Sequence, residues 1–309
     1  MSQFSAQAPA RTPQGPLSQP VRLVAIDMDG TLLPDFSTVV SRRNREALRA
    51  AQQAGIQVVI ATGRRQAFTA PLLDGVGLDP ETLLVTSNGA VTRAFRGDRI
   101  DFRHLPSELA RGLATLLRGA GMTVFTLDRA TPPDLVVEDM AIARGRLAKW
   151  VEANRGSIRA VEPIETALGD EVEIIQGMAA GTLQEMAEAA HRIANSPLVD
   201  QVEVIRTAYP GHDLSILDLL PPCVSKRSAL ERIAAQLGIA PEETMAIGDN
   251  WNDESMLDWA GVGVLMGNAD QQLLDLAVDR QWRIAPRNTD DGVAAMLELA
   301  IASLSAATR

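Results

Sequence analysis

This sequence has few of the residues that build disulfides, histidine metal sites or stacked nucleotide pockets. Its 309 residues include one cysteine, Cys223, so no intrachain disulfide can form, as is typical of proteins in a reducing cytoplasm. Cys223 lies far from any Cys/His cluster and is interpreted as structural or incidental. His191 and His212 lack metal-ligand spacing, and an aromatic content of 4 % gives no support to a stacked nucleotide pocket.

The chain also lacks a basic surplus and any long apolar run. Its formal net charge is −10, whereas a nucleic-acid binder needs a basic face. No stretch approaches the roughly 18 uninterrupted apolar residues of a membrane span. Residues 1–20 are rich in Pro, Gln, Ser and Ala without a basic start and an apolar run, so they predict a disordered tail and not a secretory signal. We expect a cytoplasmic protein without nucleic-acid or membrane partners.

Apolar residues are plentiful, and their pattern predicts a parallel α/β sheet. They make up 46 % of the chain, enough for a packed core. Short buried runs alternate with helical segments, one of which Ser41 is placed to cap, and this alternation indicates a sheet covered on both faces. The strand-like runs are 21–26, 56–61, 83–86, 214–217, 244–247 and 262–266.

Between residues 91 and 207 the pattern changes. The strand-like runs there are more polar and often alternate, which suits an antiparallel sheet with helices on one face. We therefore predict a core at 21–90 and 208–309 with an inserted α+β domain at 91–207. The strand-like runs of the insertion are 91–95, 124–127, 135–138, 171–177 and 202–206, and its helical segments are 106–119, 140–154 and 181–194.

Four polar clusters each follow an apolar run, and the first is DMDGTL at 27–32. The carboxyl ends of parallel strands meet at one edge of a sheet, where ligands bind. Asp27 and Asp29 lie just past a strand, so one can attack a phosphorus atom while the other handles a proton. Gly30 allows the sharp turn that aims them. An ordinary Asp-Gly turn is the alternative, and the full string after a six-residue apolar run disfavours it.

The second and third clusters supply candidate groups for a phosphate. Thr62-Gly63-Arg64 precedes a predicted helix, where a hydroxyl can hold a phosphate oxygen or merely cap the helix. Arg64 either contacts substrate or is solvated. Lys226 follows Ser225 at a helix start, where the helix dipole does not favour a cation, so an anionic partner is a reasonable interpretation. A solvated surface lysine is the alternative and is typical of lysines in isolation.

The fourth cluster is GDNWND at 248–253. Two carboxylates, Asp249 and Asp253, and two amides, Asn250 and Asn252, follow a buried run. Such oxygen ligands can complete a magnesium site, which takes one or two carboxylates and several waters. The alternative is an N-capping loop for a helix near 254–259, and this cluster alone leaves both interpretations open.

In their order along the chain, these clusters resemble the four motifs of the haloacid dehalogenase-like (HAD) superfamily, most closely its Cof-type phosphatase branch, subclass IIB. The resemblance covers residues 21–309, and the inserted domain matches in position and pattern more than in motif. The matching strings are DMDGTLL at 27–33, ATGR at 61–64, SK at 225–226 and GDNWNDESML at 248–257, with SNGA at 87–90, MGNA at 266–269 and NTDDGV at 288–293.

The resemblance implies a Rossmann-like doubly wound core, a cap domain at 91–207 and the cofactor Mg²⁺. Asp27 resembles the nucleophile that takes the phosphoryl group, and Asp29 the general acid and base. Three further residues resemble the groups that hold the transferring phosphoryl group: Thr62, Lys226 and Asn252, with Gly63 beside them. The implied metal ligands are Asp27, the backbone carbonyl of Asp29, Asp249 and Asp253, the last binding the metal or orienting its water and Lys226.

The function expected from this resemblance is hydrolysis of small phosphate monoesters, such as sugar phosphates, through a phospho-aspartate at Asp27. A small phosphorylated metabolite is therefore the expected partner. Substrate choice lies largely in the cap, where no string is decisive. The side chains there that can meet a substrate are each more often solvated: Arg93, Arg96, His104, Arg129 and Arg144.

Three other functions are weighed against this hydrolase. A phosphomutase shares the fold and nucleophile but returns the phosphoryl group to its substrate. A catalytically silent ligand-binding protein on the same scaffold is disfavoured, because all the expected active-site residues are present. A Rossmann-type nucleotide-binding module is disfavoured because the first strand-like run is not followed by G-x-G-x-x-G.

Overall fold

The computed structural model describes residues 15–34, 37–127, 129, 132–138 and 147–307. The strands in these residues are β1 Leu23–Ile26, β2 Gln57–Ala61, β3 Leu83–Thr86, β4 Val91–Ala94, β5 Arg99–Phe102, β6 Met122–Leu127, β7 Leu135–Val137, β8 Ile158–Ala160, β9 Ile174–Gly181, β10 Glu203–Tyr209, β11 Leu214–Leu220, β12 Thr244–Gly248, β13 Val262–Met266 and β14 Arg283–Ala285. The α-helices are α1 Arg42–Gln53, α2 Gln66–Leu73, α3 Ser107–Leu117, α4 Ala148–Asn154, α5 Leu183–Ala194, α6 Lys226–Leu237, α7 Glu254–Trp259, α8 Gln271–Asp279 and α9 Gly292–Ala307.

The chain forms two compact units. The first unit comprises Met1–Ala61, Ala67–Leu84 and Glu231–Arg309, and the second comprises Thr62–Gln66 and Val85–Leu230. No helix in the described part of the chain is both long and apolar enough to cross a membrane. Residues 1–14 of the predicted disordered tail, 1–20, lie outside the described part of the chain.

The first unit is built on a parallel sheet with the strand order β14-β13-β12-β1-β2. All four residues of β1 are buried, as the apolar run at 21–26 predicts. Helix α1 begins after Ser41, whose hydroxyl accepts a hydrogen bond from the Asn44 amide and so caps the helix as the sequence predicts. The α/β, Rossmann-like core predicted from the sequence is therefore confirmed. The next strand along the chain, β3, begins in this unit at Leu83 and ends in the second.

The second unit contains a six-stranded sheet with the order β10-β11-β9-β6-β7-β8. All of its pairs are antiparallel except β7 with β8. Helices α3 and α5 contribute Leu113 and Met186 to a buried apolar cluster that also includes Phe125 of β6. Thr182 caps α5 in a capping box with Glu185, which fixes where this helix begins. A mixed α+β unit is thus present.

One strand lies in a different sheet from the one the sequence predicts. Residues 214–217 were expected in the parallel core, but β11 pairs antiparallel with β9 and β10 in the second unit. The apolar run of β11 looks the same in either setting, and the short connection from Tyr209 to Leu214 favours a hairpin with β10. In the predicted helix 140–154, α4 begins at Ala148, and residues 140–146 lie outside the described part.

Candidate active site

The acidic residues of the first unit lie at the carboxyl ends of two neighbouring strands. Strand β1 pairs in parallel with β12, and the Asp27 amide donates a hydrogen bond of 2.9 Å to the Ile247 carbonyl. Asp27 therefore follows β1 at the edge where Asp249 follows β12. One carboxylate oxygen from each of Asp27, Asp249 and Asp253 lies within 4.8 Å of the others. Three converging carboxylates repel one another unless a cation or a proton lies between them.

Backbone amides fix the deepest of these carboxylates. Asp253 is fully buried, and its Oδ2 accepts hydrogen bonds from the amides of Asp249 (3.0 Å) and Asn250 (3.1 Å). These bonds hold the turn after β12 in a capping arrangement before α7. The Asp253 side chain caps the short 3-10 turn Trp251–Asp253 and makes no capping hydrogen bond to α7, so the N-capping alternative does not hold for the helix at 254–259 itself.

The turn after β1 brings backbone close to Asp249. The Thr31 hydroxyl donates a hydrogen bond of 2.8 Å to Asp249 Oδ1. Gly30 has a φ of +78°, and a Cβ added there would lie 2.1 Å from Asp249 Oδ2. The position therefore needs glycine twice over, for its backbone conformation and for the space that the carboxylate takes.

Two asparagines outside the four clusters support this turn. Asn268, which follows β13, donates from Nδ2 to the Gly30 carbonyl over 2.8 Å, and its Oδ1 accepts from the Asn288 amide over 2.9 Å. Both belong to strings that resemble the family, MGNA and NTDDGV, but neither is among the predicted site residues. Asn268 stands just after the predicted strand 262–266, and this position was the signal that identifies it, whereas no strand was predicted before Asn288.

The other candidates of the first unit lie outside the carboxylate group. Asp29 is half-buried, and its side chain is not among the three that converge in the described residues. This agrees with the expectation that Asp29 meets a metal through its backbone carbonyl, which stays a prediction. Asn252 is half-buried in the turn before α7, and its phosphate contact also stays a prediction.

The second unit carries the predicted phosphate-holding groups. Thr62 follows β2 and is almost fully buried, and its hydroxyl accepts a hydrogen bond of 3.1 Å from the Arg64 amide. Lys226 is the first residue of α6 and is completely buried, so the solvated surface position typical of lysine does not apply. A buried ammonium requires anionic or strongly polar partners.

A buried carboxylate in the same unit, Asp218 of β11, was not among the predicted site residues. Asn88 donates to its Oδ2 over 2.7 Å. Burial raises the pKa of the Asp218 carboxyl to about 7, while the hydrogen bond from Asn88 and the positive charge of Lys226 oppose the rise. The sequence gives Asp218 no distinguishing neighbour, because it stands within the apolar run of β11.

The cationic candidates for substrate contact differ in their exposure to solvent. Arg96 and Arg129 are exposed, and Arg93 is half-buried in β4. His104 lies against the Phe102 ring, with 4.8 Å between ring centroids. Arg144 lies outside the described residues.

Replacing Gly30 with alanine is expected to lower kcat/KM by about a hundredfold, because the added methyl displaces the Asp249 carboxylate. Gly75 is the matched control: its φ is also +78°, but nothing lies within 4 Å of an added Cβ. Gly75→Ala should lose stability of about 1 kcal/mol from backbone strain alone and keep its activity. Equal activities of the two variants would contradict the tight placement of Asp249.

The raised pKa of Asp218 predicts a pH-dependent stability. The folded protein keeps this proton up to about pH 7, whereas the unfolded chain releases it near 3.8, so the stability is present below pH 3.8 and is lost as the pH rises through 7. Asp218→Asn removes this titration. Its free energy of unfolding, relative to the wild type, should rise by about 2–3 kcal/mol between about pH 5 and pH 8 in urea titrations. The exposed Asp279→Asn should show no such rise, and parallel profiles would refute the assignment.

The parallel sheet, with carboxylates gathered at the ends of adjacent strands, defines an α/β protein with a candidate metal site at the carboxyl edge of its sheet. The chain belongs to the haloacid dehalogenase-like hydrolase family, whose model matches residues 24–297. It is similar to phosphatase YwpJ of Bacillus subtilis (strain 168), with 30 % identity over 296 residues that cover 90 % of this chain and 99 % of that protein. It is also similar to the HMP-PP phosphatase of Serratia proteamaculans (strain 568), with 30 % identity over 258 residues that cover 82 % of this chain and 87 % of that protein.

A solved structure described as a HAD subclass IIB sugar phosphatase shares the fold. Its TM-score is 0.71 at 24 % identity, and the match covers 91 % of this chain and all of that one. Together with the phosphatase relatives, these findings confirm the resemblance to Cof-type HAD hydrolases. The protein is accordingly a phosphatase, a hydrolase of phosphate monoesters.

Proposed function

We propose that this phosphatase depends on Mg²⁺ and works through a phospho-aspartate at Asp27, acting on small phosphorylated metabolites. The observation that carries the proposal is the convergence of Asp27, Asp249 and Asp253 within 4.8 Å at the ends of β1 and β12. Two of these carboxylates are buried, and like charges this close together repel one another. A bound cation removes that repulsion.

The donor set fits Mg²⁺ in particular. All three side chains offer oxygen, and Mg²⁺ prefers one or two carboxylates together with water and phosphate oxygens. Asp27 and Asp249 would hold the ion with the Asp29 carbonyl, while the amide bonds to Asp253 suit a residue that binds it directly or orients its water. Bound there, Mg²⁺ would offset the negative charge that otherwise repels a phosphate from these carboxylates.

The chemistry then follows from the carboxylates at the end of β1. An oxygen of Asp27 forms a bond to phosphorus as the bond from phosphorus to the ester oxygen breaks, and Asp29 gives its proton to that oxygen. A water molecule next loses a proton to Asp29 and attacks phosphorus. This step restores the Asp27 carboxylate and releases inorganic phosphate.

The remaining predicted residues hold the phosphoryl oxygens. Phosphoryl transfer depends on positioning and charge neutralisation more than on covalent help from the protein. We assign Thr62 and Gly63 to the phosphate through hydroxyl and amide donors, Lys226 through its charge, and Asn252 through its amide. The complete burial of Lys226 supports this role, because it places the ammonium inside the protein, where its charge is less screened than at the surface.

The insertion predicted at 91–207 is proposed to act as a cap that excludes water and selects the leaving group. Relatives named for HMP-PP and for sugar phosphates support a small phosphorylated metabolite as the substrate class. The single cysteine supports a cytoplasmic site of action.

Phosphate release from p-nitrophenyl phosphate, measured with Mg²⁺ and with EDTA, tests the proposal. We expect turnover only with Mg²⁺. A second readout does not depend on turnover: Mg²⁺ at about a hundred times its Kd should stabilise the protein by about 2.7 kcal/mol in thermal unfolding, and Asp249→Asn should reduce this gain.

The possible outcomes separate the competing functions. Undiminished release in EDTA would contradict the metal requirement. Isomerisation of a sugar phosphate without phosphate release would identify a phosphomutase. Ligand binding without any turnover, independent of Mg²⁺, would identify a silent binding protein.

A further inference from the structure

The loop Ser87–Gly89 of the second unit is strained and buried. Ser87 and Asn88 have φ values of 50° and 51°, a region that residues with a Cβ rarely adopt, and Gly89 has a φ of 105°. All three residues are buried. Such backbone conformations cost about 1–3 kcal/mol each and persist only where the surroundings impose them. Contacts with neighbouring residues must therefore stabilise this loop conformation.

The loop is bonded to the segment that carries Thr62. The Asn88 amide donates to the Thr62 carbonyl over 3.0 Å, and the Ser87 amide donates to the Arg64 carbonyl over 2.9 Å. The Asn88 side chain also covers Gly63, since a Cβ added to Gly63 would lie 3.1 Å from Asn88 Nδ2. The position of Thr62 thus depends on that of Asn88.

The same loop packs against the start of helix α6. A Cβ added to Gly89 would lie 2.1 Å from the Ser225 carbonyl oxygen and 3.1 Å from the Lys226 amide nitrogen. The backbone of Gly89 therefore packs directly against the backbone of Ser225, the residue that precedes Lys226. One short loop contacts both segments of this unit that carry proposed phosphate-holding groups.

Asp218 is the group that holds Asn88. Its Oδ2 accepts from Asn88 Nδ2 over 2.7 Å, and its Oδ1 accepts weakly from Gln176 Nε2 over 3.4 Å. Its neighbours in β11, Leu217 and Leu219, are buried and apolar, so nothing in the strand itself calls for a carboxylate. Burying a carboxylate among apolar residues is costly, and the hydrogen bond from Asn88 and the positive charge of Lys226 offset part of that cost.

We propose that Asp218 is a positioning residue, which orients the Asn88 side chain and so sets the Ser87–Gly89 loop against Thr62 and Lys226. The inference rests on the proposed function for the roles of Thr62 and Lys226. The contacts that carry it lie entirely within the second unit. The hydrogen bond, and not the negative charge, is the required feature, so an asparagine at position 218 that offers its oxygen to Asn88 performs the same task.

The experiment compares Asp218→Ala, Asp218→Asn and the control Ser215→Ala. Ser215 is buried in the same strand, and its hydroxyl donates to the Thr207 carbonyl over 3.1 Å, so Ser215→Ala also removes a buried hydrogen bond. We expect Asp218→Ala to lower kcat/KM for p-nitrophenyl phosphate roughly ten- to hundredfold, the effect typical of an outer-shell hydrogen-bond partner. Asp218→Asn should stay within about threefold of the wild type, and Ser215→Ala should leave activity unchanged.

A double-mutant cycle asks whether Asp218 acts through Asn88. If it does, Asp218→Ala should cause little further loss in a protein that already carries Asn88→Ala. Losses that multiply in the double variant would overturn the proposal. Asn88→Ala breaks the same bond from the other side, so it serves in place of Asp218→Ala should that variant not fold.

Hydrogen exchange separates this inference from the proposed function. The Ser87 and Asn88 amides should exchange at least about tenfold faster in Asp218→Ala than in Ser215→Ala, whether or not the protein turns over phosphate. If these amides exchange faster in Asp218→Ala but the wild type releases no phosphate, the positioning role stands and the proposed function is removed. A working phosphatase in which both variants exchange alike would overturn the positioning role.

Discussion

Replacing Asp27 with asparagine is expected to lower kcat/KM for p-nitrophenyl phosphate by at least about a thousandfold. The amide fills the same space but cannot attack phosphorus, and the position after β1 is otherwise unchanged. Steady-state phosphate release measures the loss. A rapid acid quench of the wild type, followed by mass spectrometry, should show one added phosphoryl group on the peptide that contains Asp27, and the variant should show none.

The same substitution should stabilise the metal-free protein. It removes one of three carboxylates whose oxygens lie within 4.8 Å, so their mutual repulsion falls and the melting temperature without Mg²⁺ should rise. Loss of activity together with greater stability excludes unfolding as the cause. The exposed Asp279→Asn should change neither quantity. Phosphate release unaffected by Asp27→Asn would disprove the nucleophile assignment.

Replacing Lys226 with methionine is expected to lower kcat/KM by roughly a hundred- to a thousandfold, as is typical when a charge that stabilises a transition state is removed. Methionine keeps much of the apolar stem in the buried space at the start of α6. The loss should appear in kcat more than in KM if the ammonium acts mainly on the transferring phosphoryl group.

Arg227 provides the matched control, because it is the next residue of the same helix and is exposed. Arg227→Met should stay within about twofold of the wild type, since screening by solvent weakens an exposed charge. Losing Lys226 should also raise the pKa of Asp218 further, because the positive charge that lowers it is gone. An active Lys226→Met would leave the phosphate role of this lysine without support.

The sequence predicted the parts of the site that depend on local pattern. An apolar run followed by polar residues marks the end of a buried parallel strand. This pattern predicted that Asp27 and Asp249 lie at the same edge of the sheet, and the parallel pairing of β1 with β12 agrees. The cap at Ser41 also follows from local sequence, because its hydroxyl reaches an amide only three residues away. Each of these predictions depends only on residues within one strand and its following loop, or within one helix turn.

What the sequence did not predict depends on contacts between distant residues. Asp218 gains its role from Asn88, which lies 130 residues away, and nothing near position 218 signals that pairing. Lys226 resembles a surface residue until the packing around α6 buries it completely. Strand β11 was assigned to the wrong sheet because an apolar run does not reveal whether its partners run parallel or antiparallel.

The strand order β10-β11-β9 has a consequence for any attempt to express the insertion by itself. A fragment cut at the predicted boundaries, 91 and 207, would end within β10 and omit β11 entirely. Strand β10 would then have no neighbour, and β9 would present an unsatisfied row of backbone donors and acceptors, which invites association between copies. A fragment that extends through Leu220 retains both pairings and avoids this open edge.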